Sequence, residues 1–138
     1  MTRDAALPLL SVLVLAQEQG ATVANLFEGI TPKRYGDAGL VDMDDFDDCQ
    51  KVTSLLADPK FEITRYFSNV LGFATVDRVD LTDGVRIYFE NGEVAHVRGS
   101  GNAPQLRIYS LANTQKRARM IVDECVKTGG VFDKIASI

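Results

Sequence analysis

Residues 83 to 109 read DGVRIYFENGEVAHVRGSGNAPQLRIY, and this stretch decides the fold. Val85, Ile87 and Phe89 alternate with Arg86, Tyr88 and Glu90, the period of two expected of a strand with one buried and one wetter face. Asn91-Gly92 follows at once, the strongest short-range signal for a hairpin. Residues 93 to 98 (EVAHVR) and 105 to 111 (QLRIYSL) have the β-branched and aromatic composition of two more strands. Upstream, Thr82-Asp83 before Gly84 joins the stretch to a further strand at 74 to 81 (ATVDRVDL). An antiparallel sheet of four strands is the expectation.

Helical spacing brackets the sheet on both sides. Residues 49 to 57 (CQKVTSLLA) and 60 to 71 (KFEITRYFSNVL) are divided by Asp58-Pro59 and place Val52, Leu55, Leu56, Phe61, Ile63, Phe67 and Leu71 as core candidates. Past the last strand, Asn113 can cap a helix running to Thr128, with Ala118, Ile121, Val122, Cys125 and Val126 as its inner stripe and Gly129-Gly130 as its stop. The fold class is therefore α+β, a four-stranded antiparallel sheet backed by helices.

The amino end behaves differently. Ala5 to Ala16 (AALPLLSVLVLA) is an apolar run of 12 residues, short of the roughly 20 that span a bilayer. Its length also suits the core of a secretory signal, but Asp4 cancels Arg3, the only basic side chain ahead of it. A helix from a Thr2 cap to about Gly20, with Pro8 bending it, is the preferred reading. It is apolar almost all round, so it expects protein on more than one side. Residues 21 to 35 suggest a second helix capped at Thr22 and stopped by Gly29 and Pro32. From Gly36 to Asp48, GDAGLVDMDDFDD carries six Asp and two Gly without a hydrophobic period. It reads as an acidic linker, and its spacing fails the calcium-loop pattern at the third ligand and at the glycine. The domain organisation expected is thus a helical segment at 1 to 35, a linker at 36 to 48 and a main domain at 49 to 138.

Charge and cysteine content exclude several classes of function. Fifteen Lys and Arg against nineteen Asp and Glu give a net charge of -4, which argues against a surface built for nucleic acid. Cys49 and Cys125 lie far apart, with no C-x-x-C and with His96 as the sole histidine, so neither a disulfide framework nor a zinc cluster is encoded. No metal site, no membrane contact and a cytoplasmic setting are the expectations. His96 reads as a structural histidine, because no nucleophile or carboxylate is placed by sequence to work with it.

One segment carries chemistry. Arg98-Gly99-Ser100-Gly101-Asn102-Ala103-Pro104 joins two strands that a two-residue turn would connect. Its glycines free the backbone to present successive N–H groups, Ser100 and Asn102 add side-chain donors, and Arg98 offers a planar fork that suits two phosphate oxygens. Between Val94 and Val122 the charged residues are Arg98, Arg107, Lys116, Arg117 and Arg119, with no acid among them. Within an acidic chain this is a local positive field. No Gly-Lys-Ser/Thr occurs and a strand follows the loop, which excludes a nucleotide P-loop.

This stretch resembles the closing domain of the α-D-phosphohexomutases, the phosphomannomutase and phosphoglucomutase family, whose phosphate loop follows R-x-S-(G/N)-(T/N)-x-P and leads into a strand. Arg98, Ser100, Gly101, Asn102 and Pro104 match it position by position. Gly99 stands where proline is frequent, and Asn102 and Ala103 replace the commoner Thr and Glu. The opening TRDAALPLL is similar to the helix that ends the third of the family's four domains. The family's phosphoserine loop, D-x-D-x-D magnesium loop and G-E-x-S-G-H sugar loop are absent from these residues. The resemblance implies the end of domain three plus domain four, with Arg98, Ser100, Gly101 and Asn102 binding the phosphate of a hexose phosphate substrate and with no catalytic residue in this segment. It also implies that the remaining domains of a parent enzyme are partners and that magnesium serves the full-length protein rather than this part. Arg107 and Tyr109 are assigned to the sheet. A second reading is a free-standing, non-catalytic anion-binding or protein-interaction module; upstream codons for the serine and magnesium loops discriminate the two.

Overall fold

A computed structural model describes residues 6–28 and 34–138. The chain divides into two compact units, Met1–Lys33 and Arg34–Ile138. The first holds α1 (Ala6–Glu18) and α2 (Val23–Glu28). Gly20 takes φ +60 just past α1, the left-handed turn that glycine tolerates at a helix end, and the Thr22 hydroxyl accepts from the Asn25 amide at 3.2 Å to cap α2. The expected cap at Thr2 and stops at Gly29 and Pro32 lie outside the described residues.

In the second unit, β1 (Tyr35–Asp42) precedes α3 (Phe46–Ala57) and α4 (Ile63–Leu71). Strands β2 (Val76–Asp80), β3 (Val85–Phe89), β4 (Val94–Gly99) and β5 (Gln105–Ala112) follow, then α5 (Gln115–Val126) and α6 (Val131–Ala136). The sheet runs β1-β5-β4-β3-β2, and every neighbouring pair is antiparallel. The α+β class stands, but the sheet has five strands rather than four.

The fifth strand corrects the acidic linker. Residues 35–42 pair along their whole length with β5, from Tyr35 opposite Ala112 to Asp42 opposite Gln105. Asp and Gly are poor strand formers, which hides the strand in the sequence, yet an edge position tolerates them because one side of the backbone already faces solvent. Alternation remains at low contrast: Asp37, Gly39 and Val41 are half-buried while Gly36, Ala38, Leu40 and Asp42 are exposed. The Asp-rich end of the segment then serves as a cap, Asp45 accepting from the Asp48 amide at 2.9 Å to start α3.

Helices cover one face of the sheet. Val85, Ile87, Phe89, Ala95, Val97, Leu106 and Ile108 meet Val52, Leu56, Phe67, Ile121, Val122 and Phe132 in a continuous core. Phe73 stacks on Phe89 with centroids 4.0 Å apart, and Phe67 closes on Phe73 edge-on at 5.8 Å, which fixes the junction of α4 with the sheet. Two details at the carboxyl end differ from expectation. Thr114, not Asn113, caps α5, accepting from the Arg117 amide at 3.2 Å; Asn113 accepts a guanidinium N–H from Arg34 instead. After Gly129-Gly130 the chain turns into α6, whose Val131, Phe132 and Ile135 are buried.

Candidate functional site

The uncovered face of the sheet carries the loop. Register places Arg98 of β4 opposite Arg107 of β5, and His96 opposite Tyr109 and, on its other side, Arg86. The β4–β5 connection folds back on itself: the Ser100 amide donates to the Gln105 carbonyl at 2.8 Å, and the Gln105 amide to the Ala103 carbonyl at 2.8 Å. From the far side β1 braces it. The Met43 amide donates to the Pro104 carbonyl at 2.8 Å, and Gln105 Nε2 donates to Asp42 Oδ1 at 2.8 Å. The segment read as a linker therefore holds the loop in shape.

Ser100 is buried at 9% exposure, whereas Gly101 and Asn102 are exposed. The Ser100 hydroxyl oxygen accepts two long bonds, from the Asn102 amide and from Arg107 Nη2, each at 3.4 Å. With both lone pairs engaged, its O–H remains available to donate. Among the described residues the Gly101 N–H has no intramolecular acceptor, while the Ser100 N–H is spent on Gln105. The row of free amides expected from the sequence is thus reduced to Gly101 and the weakly engaged Asn102.

Arg98 is not free either. Its Nη1 meets Asp83 Oδ2 at 2.8 Å, with the two side chains 36% and 64% exposed. The turn bearing Asp83 is pinned from two sides. His96 Nε2 bonds the Asp83 carbonyl oxygen, and Gly84, at φ +75, lies so close that a Cβ there would come within 2.7 Å of Arg98 Cβ. With Nε2 donating to a carbonyl, His96 Nδ1 is the acceptor facing Arg86 Nη2 at 3.4 Å. His96 is a structural group joining the turn to the sheet, as its type and neighbours led one to expect.

The four expected site residues, Arg98, Ser100, Gly101 and Asn102, fall within one short loop. Arg107 and Asp83 join them in space; pairing register alone brings Arg107 there, and no local motif marks it. Metal chemistry finds no support among these groups. Among the described residues no cluster of three or more His, Cys, Asp or Glu is placed to hold an ion, and Asp42 and Asp45 serve as hydrogen-bond acceptors. No described helix is long and apolar enough to cross a membrane.

Comparison with known proteins agrees with this arrangement. Residues 41–128 match the family model of the phosphoglucomutase/phosphomannomutase C-terminal domain. A phosphomannomutase of Sinorhizobium fredii (strain NBRC 101917 / NGR234) is 31% identical over 123 residues, covering 88% of this chain and 25% of the relative. One of Salmonella muenchen is 32% identical over 124 residues, covering 88% of this chain and 24% of the relative. The chain spans about a quarter of the length of these relatives.

Proposed function

The chain belongs to the phosphoglucomutase/phosphomannomutase family through its C-terminal domain, and from that premise we propose that residues 34–138 hold the phosphate of a hexose phosphate in a parent phosphohexomutase. In such an enzyme a phosphoserine passes its phosphoryl group to a hexose monophosphate, and the resulting bisphosphate turns around and returns its other phosphate to the serine. The loop from Arg98 to Asn102 grips whichever phosphate is not reacting, so its role is positioning, and transfer occurs elsewhere. Residues 1–33 are read as the end of the preceding domain, and the rest of the parent enzyme as the partner that closes the site. A cytoplasmic setting goes with such a substrate. Magnesium does not fit the described residues of this chain, which hold no cluster of ligands for it, so no step here passes through a metal.

The observation that carries the reading is the state of the loop itself. A buried hydroxyl keeps its O–H, Gly101 keeps its N–H, and guanidinium groups stand on the two flanking strands. That is a donor-only environment, which suits an oxyanion and little else. Because water competes for each donor at so open a site, affinity for free phosphate belongs in the millimolar range, about -4 kcal/mol. Titration of the 138-residue chain with inorganic phosphate, followed by amide NMR, should move Gly101 and Asn102 strongly and Ser100 less. Amides of 98 to 102 that stay still at tens of millimolar phosphate, roughly tenfold above the expected dissociation constant, while others shift would place the anion elsewhere. The purified chain should also fail to interconvert mannose 1-phosphate and mannose 6-phosphate, since no phosphoryl carrier is present; turnover above a blank refutes that part.

A further inference from the structure

Arg98 and Arg107 stand directly opposite one another on the open face of β4 and β5. Like charges in such a pair destabilise a sheet, so each needs an explanation. For Arg98 the explanation is Asp83, whose carboxylate lies 2.8 Å from Nη1 on a turn locked in place through His96 and Gly84. Arg107 has no such acid. Its partner on the other side in β1 is Leu40. The next acid along that strand, Asp42, sits opposite Gln105 and accepts its amide. Among the described residues Arg107 makes no ion pair, and its Nη2 rests at 3.4 Å from the Ser100 hydroxyl, beside the donor that the proposed phosphate would use.

We infer that Arg107, rather than Arg98, supplies the charge that draws phosphate to this loop, while Asp83 holds Arg98 at the rim as a largely neutralised flank. The inference rests on the phosphate-binding reading of the loop and reassigns the electrostatic work within it. An incoming dianion takes the Ser100 O–H and the Arg107 guanidinium together, replacing the long bond between them with two charge-assisted ones. It also cancels the cross-strand repulsion, so binding should stabilise the sheet as well as fill the site.

The test uses the full chain with Arg107→Gln, Arg107→Lys, Arg98→Gln and Asp83→Asn, inorganic phosphate as the probe, amide shifts for affinity and thermal unfolding for stability. Arg107→Gln should weaken phosphate binding about tenfold or more, with Arg107→Lys intermediate because it keeps a point charge without the fork. Arg98→Gln should lose only about threefold, and Asp83→Asn should tighten binding a few-fold by releasing Arg98. In phosphate-free buffer Arg107→Gln should melt no lower than wild type, which separates a binding role from a structural one, and added phosphate should raise only the wild-type midpoint. Wild-type loop amides that do not respond defeat the phosphate reading and this inference with it. Responsive wild-type amides, with Arg107→Gln titrating like wild type or losing no more than Arg98→Gln, overturn the assignment of Arg107 alone.

Discussion

Glu93 sits at 5% exposure in the turn after Asn91-Gly92, where a charged side chain needs compensation. Arg117 provides it from α5 as a two-pronged fork, Nε to Oε1 and Nη2 to Oε2, both at 2.8 Å. The same guanidinium lies 5.0 Å from the centroid of Phe73. Burial pushes the Glu93 carboxyl up, but hydrogen bonds from Arg117 and Asn91 and the charges of Arg117 and Arg34 carry it below the ordinary carboxylate range. A group whose pKa is lower in the folded state favours folding above the unfolded value of about 4.3 and loses that contribution as pH falls through the folded value. Glu93→Gln should therefore destabilise the chain at neutral pH by about 3 kcal/mol and make its stability less dependent on pH below about 4. Urea midpoints across the acid range check both; an unchanged acid limb in the variant would assign the titration to other carboxylates. Cys125 is the opposite case, its thiol pushed up to about 12 by burial and then by Glu124. It should stay unreactive toward thiol reagents until the chain unfolds.

At the scale of elements, β1 shows which features a sequence hides. The strands with β-branched alternation, β2 to β5, were legible because pattern and propensity agreed. β1 was not, because its inward positions are Asp37, Gly39 and Val41, a face that carries no apolar period. Gly39 is there for close packing: a Cβ at that point would run into Val122 of α5 and approach Ile108. Gly36, by contrast, offers ordinary space, with the Ser110 carbonyl oxygen 3.5 Å from a built Cβ. Gly39→Val should cost about 1 to 3 kcal/mol through overpacking, while Gly36→Ala should stay within about 0.5 kcal/mol. Denaturant midpoints with unchanged slopes distinguish the two. The loop was legible for the same reason as the meander, since its chemistry is local. Arg107 and Asp83 were not, because their place beside the loop follows from pairing register and from a turn contact fifteen residues away.

At the scale of the whole molecule, burial is divided unequally. The apolar core from Cys49 to Ile135 belongs entirely to residues 34–138, whereas the described residues of the first unit bury only Ala16. On α1, Leu7, Leu9, Leu10, Leu13, Val14 and Leu15 are between 43% and 62% exposed. So much contiguous apolar surface on one short helix is unusual for a free-standing protein and calls for cover, which accords with the proposal that this unit ends a preceding domain. Stability should then reside in one unit and stickiness in the other. A chain reduced to residues 34–138 should unfold at the same urea midpoint as the full chain, because the core it keeps is complete. It should also remain monomeric as concentration rises, while the full chain gains apparent mass through α1. Sedimentation equilibrium and urea unfolding on the two forms decide the matter. A large loss of stability on truncation would mean that the first unit contributes to the core, and self-association undiminished by truncation would move the adhesive surface away from α1.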